Sequence, residues 1–225
     1  MALVTPAVAA GAQHPLVLQR LTDWNAAAPP PSAQIIRGQL LKAAASAQKQ
    51  RGGCLPTSVV IESVSPATAV RLIFQGILSG TIKNGWIVVA RHPDCDGDVV
   101  RYTIVQDAAG ELSTIRSNRG LSLANESLIS DTWPLALLQA EATLKRDRIV
   151  CEGSVANLGI VRLVNKEPGI GSDVFGVRYS GSWSELWPIN LCGRTVEITV
   201  RFTADGDGGA YSNLKGVEAR LLPTK

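Results

Sequence analysis

The sequence predicts an α+β fold made of two tandem similar repeats, each a helix packed on an antiparallel β-meander, and three observations lead there. The first is a frame of 97 residues in which Cys54 recurs as Cys151, Cys95 as Cys192 and Trp86 as Trp183. The frame uses all 4 cysteines and runs ungapped through the preceding segments, pairing Leu40 with Leu137, Leu41 with Leu138, Ala43 with Ala140 and Arg51 with Arg148. A unit of about 100 residues is too long for a solenoid repeat and is the size of a small domain. The second is a change of period within each half, from helical spacing before the first cysteine to alternation after it. The third is composition: 45% hydrophobic and 18% charged over 225 residues is globular and suffices for two modest cores.

The elements follow in order. Residues 15–28 begin with Pro15, suited to a first helical turn, and place Val17, Leu21 and Trp24 on one face, so a helix is expected. Pro29, Pro30 and Pro31 stop it, and Ser32 is an N-cap for a second helix over 33–49 carrying Ile36, Leu40, Ala43 and Ala44. Strands are expected over 57–64, 68–74, 77–82 and 86–91, with Lys83-Asn84-Gly85 as the hairpin turn between the last two. A loop, HPDCDGD, leads to strands over 99–106 and 111–116, joined by the turn Asp107 to Gly110. In the second half Asp131 is the expected N-cap of a helix running through Trp133, Leu137, Ala140 and Leu144 to Arg146. Strands are expected over 158–164, 174–180, 183–189, 195–203 and 217–222, the last two separated by the turn ADGDGG. The expected organisation is a signal-peptide remnant over 1–12, an N-terminal helical arm over 13–31, the first repeat over 32–122 and the second over 129–222.

Each half holds its own cysteine pair at a separation of 41, which favours the disulfides Cys54–Cys95 and Cys151–Cys192 over pairings that tie the halves together. The N-terminal MALVTPAVAAGA is apolar and ends in the small-x-small pattern Ala10-Gly11-Ala12, although it lacks a positive n-region. Both features point to an exported protein, periplasmic or secreted. No stretch approaches the roughly 18 to 20 apolar residues of a membrane span. A net charge of +3 spread along the chain leaves nucleic acid little to hold.

Chemical motifs fail one after another. His92 and Cys95 have H-x-x-C spacing beside Asp94, Asp96 and Asp98, but the ligand count falls short of a tetrahedral zinc site, and Ile189 replaces the histidine in the second half. The acidic turns at 94–98 and 205–209 lack the sixth-position Gly and twelfth-position Glu of an EF-hand. Ser46-Ala47-Gln48-Lys49 fits S-x-x-K without its companion motifs, and only His14 and His92 could serve a triad. The glycines of 169–176 lack dinucleotide-binding spacing. No catalytic residue, metal site or cofactor is therefore expected. Trp183, Glu185 and Trp187 alternate along one strand and share a face. Aromatic side chains are usually buried, which makes core the first reading. Glu185 and Trp187 have no counterparts in the first half, where Val88 and Ala90 stand, so they are also the candidate surface for a partner.

The string over 183–209, with anchors Trp183, Glu185, Trp187, Cys192, Gly193, Phe202, Asp205, Gly208 and Gly209, resembles a W-x-E-x-W, Cys-Gly, D-G-x-G-G pattern of uncharacterised exported proteobacterial proteins. That resemblance implies an envelope location and a β-rich domain, and carries no activity. The functional expectation is an exported, disulfide-bonded binding protein of the bacterial envelope with a protein or peptide partner. The alternatives are a hydrolase-like enzyme with a cleft between the repeats and a structural subunit of an envelope assembly.

Overall fold

The computed structural model describes residues 15–51, 54–95, 97–151, 155–214 and 219–223. The signal-like segment 1–12 lies outside them. In chain order the elements are α1 (Pro15–Ala27), α2 (Ala33–Arg51), β1 (Val60–Pro66), α3 (Arg71–Leu78), β2 (Ile82–Arg91), β3 (Val99–Asp107) and β4 (Leu112–Gly120), followed by α4 (Glu126–Arg146), β5 (Asn157–Leu158), β6 (Ile160–Lys166), β7 (Ser182–Leu191), β8 (Arg194–Ala204), β9 (Ala210–Asn213) and β10 (Arg220–Leu221). The fold is α+β, with helices packed against antiparallel meanders.

Strands β1 to β4 and β6 to β8 are each antiparallel neighbours in sequence order, with β9 and β10 both beside β8 and β5 beside β7. One short parallel contact, Arg119 with Ile160 and Gly120 with Val161, joins the two meanders into a single sheet. Gly120 has a φ of +89°, and a Cβ there would lie 2.0 Å from the Val161 carbonyl oxygen, so only glycine lets the strands meet. Because strands alternate within each meander and β6 runs with β4, the second meander is turned over relative to the first. Helix α2 consequently covers one face of the joint sheet and α4 the opposite face.

Packing follows the alternation of the strands. Under α2, Ile36 and Leu40 meet Trp86, Val88 and Ala90 of β2 and Val100, Tyr102 and Ile104 of β3. Under α4, Ala136, Ala140 and Leu144 meet Trp183, Trp187 and Ile189 of β7 and Val196, Ile198, Val200 and Phe202 of β8. Trp183 stacks on Phe202 with ring centroids 5.2 Å apart. The other face of the first meander is also closed: Ile87 packs with Val70 and Ile73 at α3 and with Val177 and Tyr179 from the loop before β7. Burial of each such aliphatic side chain contributes roughly 1.5–3 kcal/mol.

Four expectations are corrected. The strand expected over 68–74 is a turn leading into helix α3, whose Ile73 and Gly76 are buried against the sheet, and that expected over 77–82 is the end of α3, a turn at 79–81 and the first residue of β2. Asn84-Gly85 is no hairpin turn but lies inside β2 next to a register shift between Ile82 and Asn84. There the buried Asn84 amide donates to the Ala28 carbonyl at 2.7 Å and so ties α1 to the sheet, while Gly85 leaves room for Ile73 of α3, which a Cβ would meet at 2.7 Å. The N-cap of helix α4 lies six residues earlier than Asp131, at Asn125, whose side chain accepts from the Leu128 N–H at 3.1 Å. Pro134 then sits inside the helix, and Asp131 pairs with Arg71 across the surface at 3.4 Å. The strand expected over 174–180 is a loop held by a bridge between Val174 and Val177.

Candidate binding cleft

The alternation that puts Trp183 and Trp187 into the core of β7 puts Glu185 there too, and all three are buried, Glu185 and Trp187 at 0% exposure. An unpaired carboxylate at that depth costs several kcal/mol unless donors surround it. Five do. Its Oε1 accepts from Trp183 Nε1 at 2.9 Å, the Leu123 N–H at 2.7 Å and the Ala124 N–H at 3.2 Å. Its Oε2 accepts from Trp187 Nε1 at 2.9 Å, and the Ser122 hydroxyl reaches both oxygens at 3.0 and 2.9 Å. This corrects the reading of Glu185 and Trp187 as a partner-facing surface: the pair is interior, and its work is to hold the strap of residues 121–125 that connects β4 to α4.

That strap in turn builds a cleft. Arg101, on the face of β3 away from α2, is 8% exposed and donates through Nη1 to the carbonyls of Ser122 and Ala124 at 3.2 and 3.0 Å. Its Nε stands 3.8 Å from Glu126 Oε1, which also accepts from the hydroxyls of Thr103 and Ser117. Across from it, the loop before β7 contributes Arg178, whose Nη1 donates to the Gly171 carbonyl at 2.5 Å, and Asp173, whose Oδ1 accepts from the Gly176 N–H at 2.8 Å. Between them lies a cavity of about 210 Å³ lined by Arg101, Arg178, Asp173 and Ser122 with Ile87 and Val89 among its apolar surfaces. The Nε–H groups of both arginines are buried without a hydrogen-bond partner among the described residues. The motif reading of the sequence singles out neither arginine. Arg101 does leave a signal, a cation in the otherwise apolar strand VVRYTIV, whereas Arg178 lies in a loop whose sequence gives none.

The cysteines pair as Cys54–Cys95 and Cys151–Cys192, each with Cα atoms 5.6 Å apart. Beside the first bond, Asp94 Oδ2 accepts from the Thr57 N–H and hydroxyl at 2.5 and 2.7 Å, and its Oδ1 from the Ser58 hydroxyl at 3.1 Å. These bonds, the Thr57 hydroxyl first, hold the Asp94 carboxyl well below the usual carboxylate range. A depressed carboxyl stabilises the fold fully above the unfolded value of about 3.9 and loses that contribution as pH falls through its folded pKa. The Asp94→Asn variant is therefore expected to melt below the parent at pH 7, with the gap narrowing steadily below about pH 4. Thermal scans at pH 7, 4 and 2.5 read this, and a gap independent of pH would refute it.

His92 is a buried structural residue. Its Nδ1 faces the Ser58 carbonyl at 3.0 Å and must donate, so Nε2 accepts from the Tyr102 hydroxyl at 2.7 Å. Burial pushes the Tyr102 phenol up to about 12. Tyr102→Phe would leave Nε2 buried and unpaired and is expected to cost about 1.5 kcal/mol in denaturant melts. The turn at 205–209 closes on itself, Asp205 Oδ1 accepting from the N–H groups of Asp207 and Gly209 at 2.9 and 3.0 Å. Among the described residues no group of three or more His, Cys, Asp or Glu is placed to hold a metal ion, and no helix is long and apolar enough to cross a membrane.

No protein-family model, curated protein or solved structure matches the chain.

Proposed function

We propose that this chain is an exported binding protein of the bacterial envelope, periplasmic or secreted, built from two tandem copies of one helix-on-meander unit, and that the cleft between the copies holds its ligand. The observation that carries the binding reading is that cleft, in which a strap fixed to Glu185 by three of its donors, Ser122, Leu123 and Ala124, holds Arg101 at a cavity facing Arg178. Rigid, mostly apolar concavities with a few fixed polar groups are what binding sites are made of. The tandem-copy reading is supported by a helix leading into antiparallel strands in both halves and by two disulfides of the same span of 41 residues. Export is supported by those disulfides, since bonds of this kind persist in oxidising compartments. The resemblance of residues 183–209 to exported proteobacterial proteins agrees with it.

The test is recovery of the protein from its native host's envelope fraction under non-denaturing conditions, followed by native mass spectrometry and non-reducing peptide mapping. The expected result is a bound species released on denaturation, with both disulfides intact. Turnover of generic ester, peptide or glycan substrates, abolished by one carboxylate substitution, would replace the binding reading with the hydrolase one.

A further inference from the structure

Resting on the binding reading above, we propose that the cleft recognises the carboxylate of a small ligand with a short apolar body. Arg101 and Arg178 bring two guanidinium groups to the cavity; their Nε–H groups are buried and their Nη1 groups bond backbone carbonyls, which leaves Nη2 of each as the donor for a ligand. Two cations lining one cleft favour an anionic occupant. A carboxylate is the acceptor that matches the guanidinium fork in both charge and geometry.

Charge narrows the class. Asp173 lines the cavity with the two arginines, and Glu126 stands behind Arg101 at 3.8 Å, so the local positive excess is small. A monoanion suits that balance, whereas a dianionic phosphate would add repulsion against Asp173. Size narrows it further: a cavity of about 210 Å³ lies below the roughly 300–1,000 Å³ of drug-sized ligand pockets and suits a small body. The remaining wall is hydrocarbon from Ile87, Val89 and Val99, which favours an aliphatic body over a polar one. Arg101 is fixed by the carbonyls of the strap and acts as the rigid half of the site, while Arg178, anchored through Nη1 to Gly171, supplies the adaptable half.

One ligand chemistry here has two sources, a free small acid or the C-terminal residue of a peptide. The experiment is isothermal titration of the oxidised full chain with N-acetyl-L-leucine, a leucine-terminated tetrapeptide, the amide of that tetrapeptide, and inorganic phosphate. The expected result is binding of at least one carboxylate, with the amide weaker by about tenfold or more. Arg178→Met keeps the aliphatic stem and is expected to weaken carboxylate binding by about tenfold, with the loss of its Gly171 contact read separately by thermal melting. Arg101→Met is the second variant, and its loss of strap contacts is read separately by thermal melting. Binding of the tetrapeptide alone assigns the site to peptide ends, and binding of the acetylated amino acid assigns it to free acids. Equal binding of acid and amide, tighter binding of phosphate, no binding of any carboxylate, or indifference to Arg178→Met would each overturn the proposal. A species co-purifying from the host under any of those outcomes would leave the binding reading standing.

Discussion

Glu185→Leu is expected to lower the unfolding free energy by about 4 kcal/mol, the largest effect expected of a single substitution around the cleft. The reason lies in what the carboxylate satisfies. Removing it strands two indole N–H groups, two backbone N–H groups and the Ser122 hydroxyl inside the protein. Each orphaned donor costs about 1–3 kcal/mol, partly recovered where the strap relaxes toward water. Glu185→Gln keeps the volume and one accepting oxygen, but turns an NH₂ group toward Trp187 Nε1 or the strap, so about half that loss is expected. Trp187→Phe removes a single donor along with some packing and should cost less than Glu185→Leu. Urea melts followed by tryptophan fluorescence measure all three, because Trp183 and Trp187 report directly on the cluster. A loss under about 1 kcal/mol for Glu185→Leu would mean that the strap finds other acceptors, and that Glu185 does not hold the cleft.

Much of the framework is legible because its signals are local. Helix α1 and helix α2 stand where Pro15, the proline run and Ser32 put them, and the cysteine pairs follow from equal spacing within each half. The alternation in TVEITVRFT gives β8 its buried Val196, Ile198, Val200 and Phe202. The misplaced elements have a common cause in tertiary context. The segment RLIFQGIL is rich in β-forming residues, yet folds as α3 because Val70, Ile73 and Ile77 then cover the second face of the sheet beside Ile87. Asn84-Gly85 carries a strong hairpin signal, but its glycine serves close packing under α3 and its asparagine reaches α1. Asp131 is as good an N-cap by type as Asn125, and Pro134 three residues later suits a first turn. Only the fold makes Asn125 the start, where it accepts from the Leu128 N–H and turns its amide to the Gly176 carbonyl at 3.4 Å.

The site is less legible than the framework. Glu185 sits between two tryptophans in sequence, and alternation alone puts it on their face; its burial depends on donors from residues 122–124, more than sixty positions away, which no local pattern announces. Arg101 is the instructive miss. A charge in the middle of an apolar strand must find partners or a ligand, and it has found carbonyls for Nη1 and no hydrogen bond for Nε among the described residues. Its counterpart across the cavity, Arg178, is brought there by the loop that replaces an expected strand.

Breaking either disulfide by a Cys→Ser pair is expected to cost about 4 kcal/mol, the entropy of closing a loop of some 41 residues in the unfolded chain. The effect resides in the unfolded state, so the denaturant slope should rise in both double variants as the opened chain exposes more surface. The two bonds close loops in different meanders with separate cores, and their losses should add. Together they amount to about 8 kcal/mol, comparable with the whole stability of a domain, which is typically about 5–15 kcal/mol. A reduced chain should then be largely unfolded at 37 °C, while the oxidised chain is folded. This ties the disulfides to the compartment, because a reducing environment would not sustain a fold that an oxidising one does. Denaturant melts of the parent, the Cys54→Ser/Cys95→Ser variant and the Cys151→Ser/Cys192→Ser variant, each with and without reductant, read the two contributions separately. Full stability of the reduced parent would show that the two cores alone hold the fold, and would remove the disulfides as an argument for export.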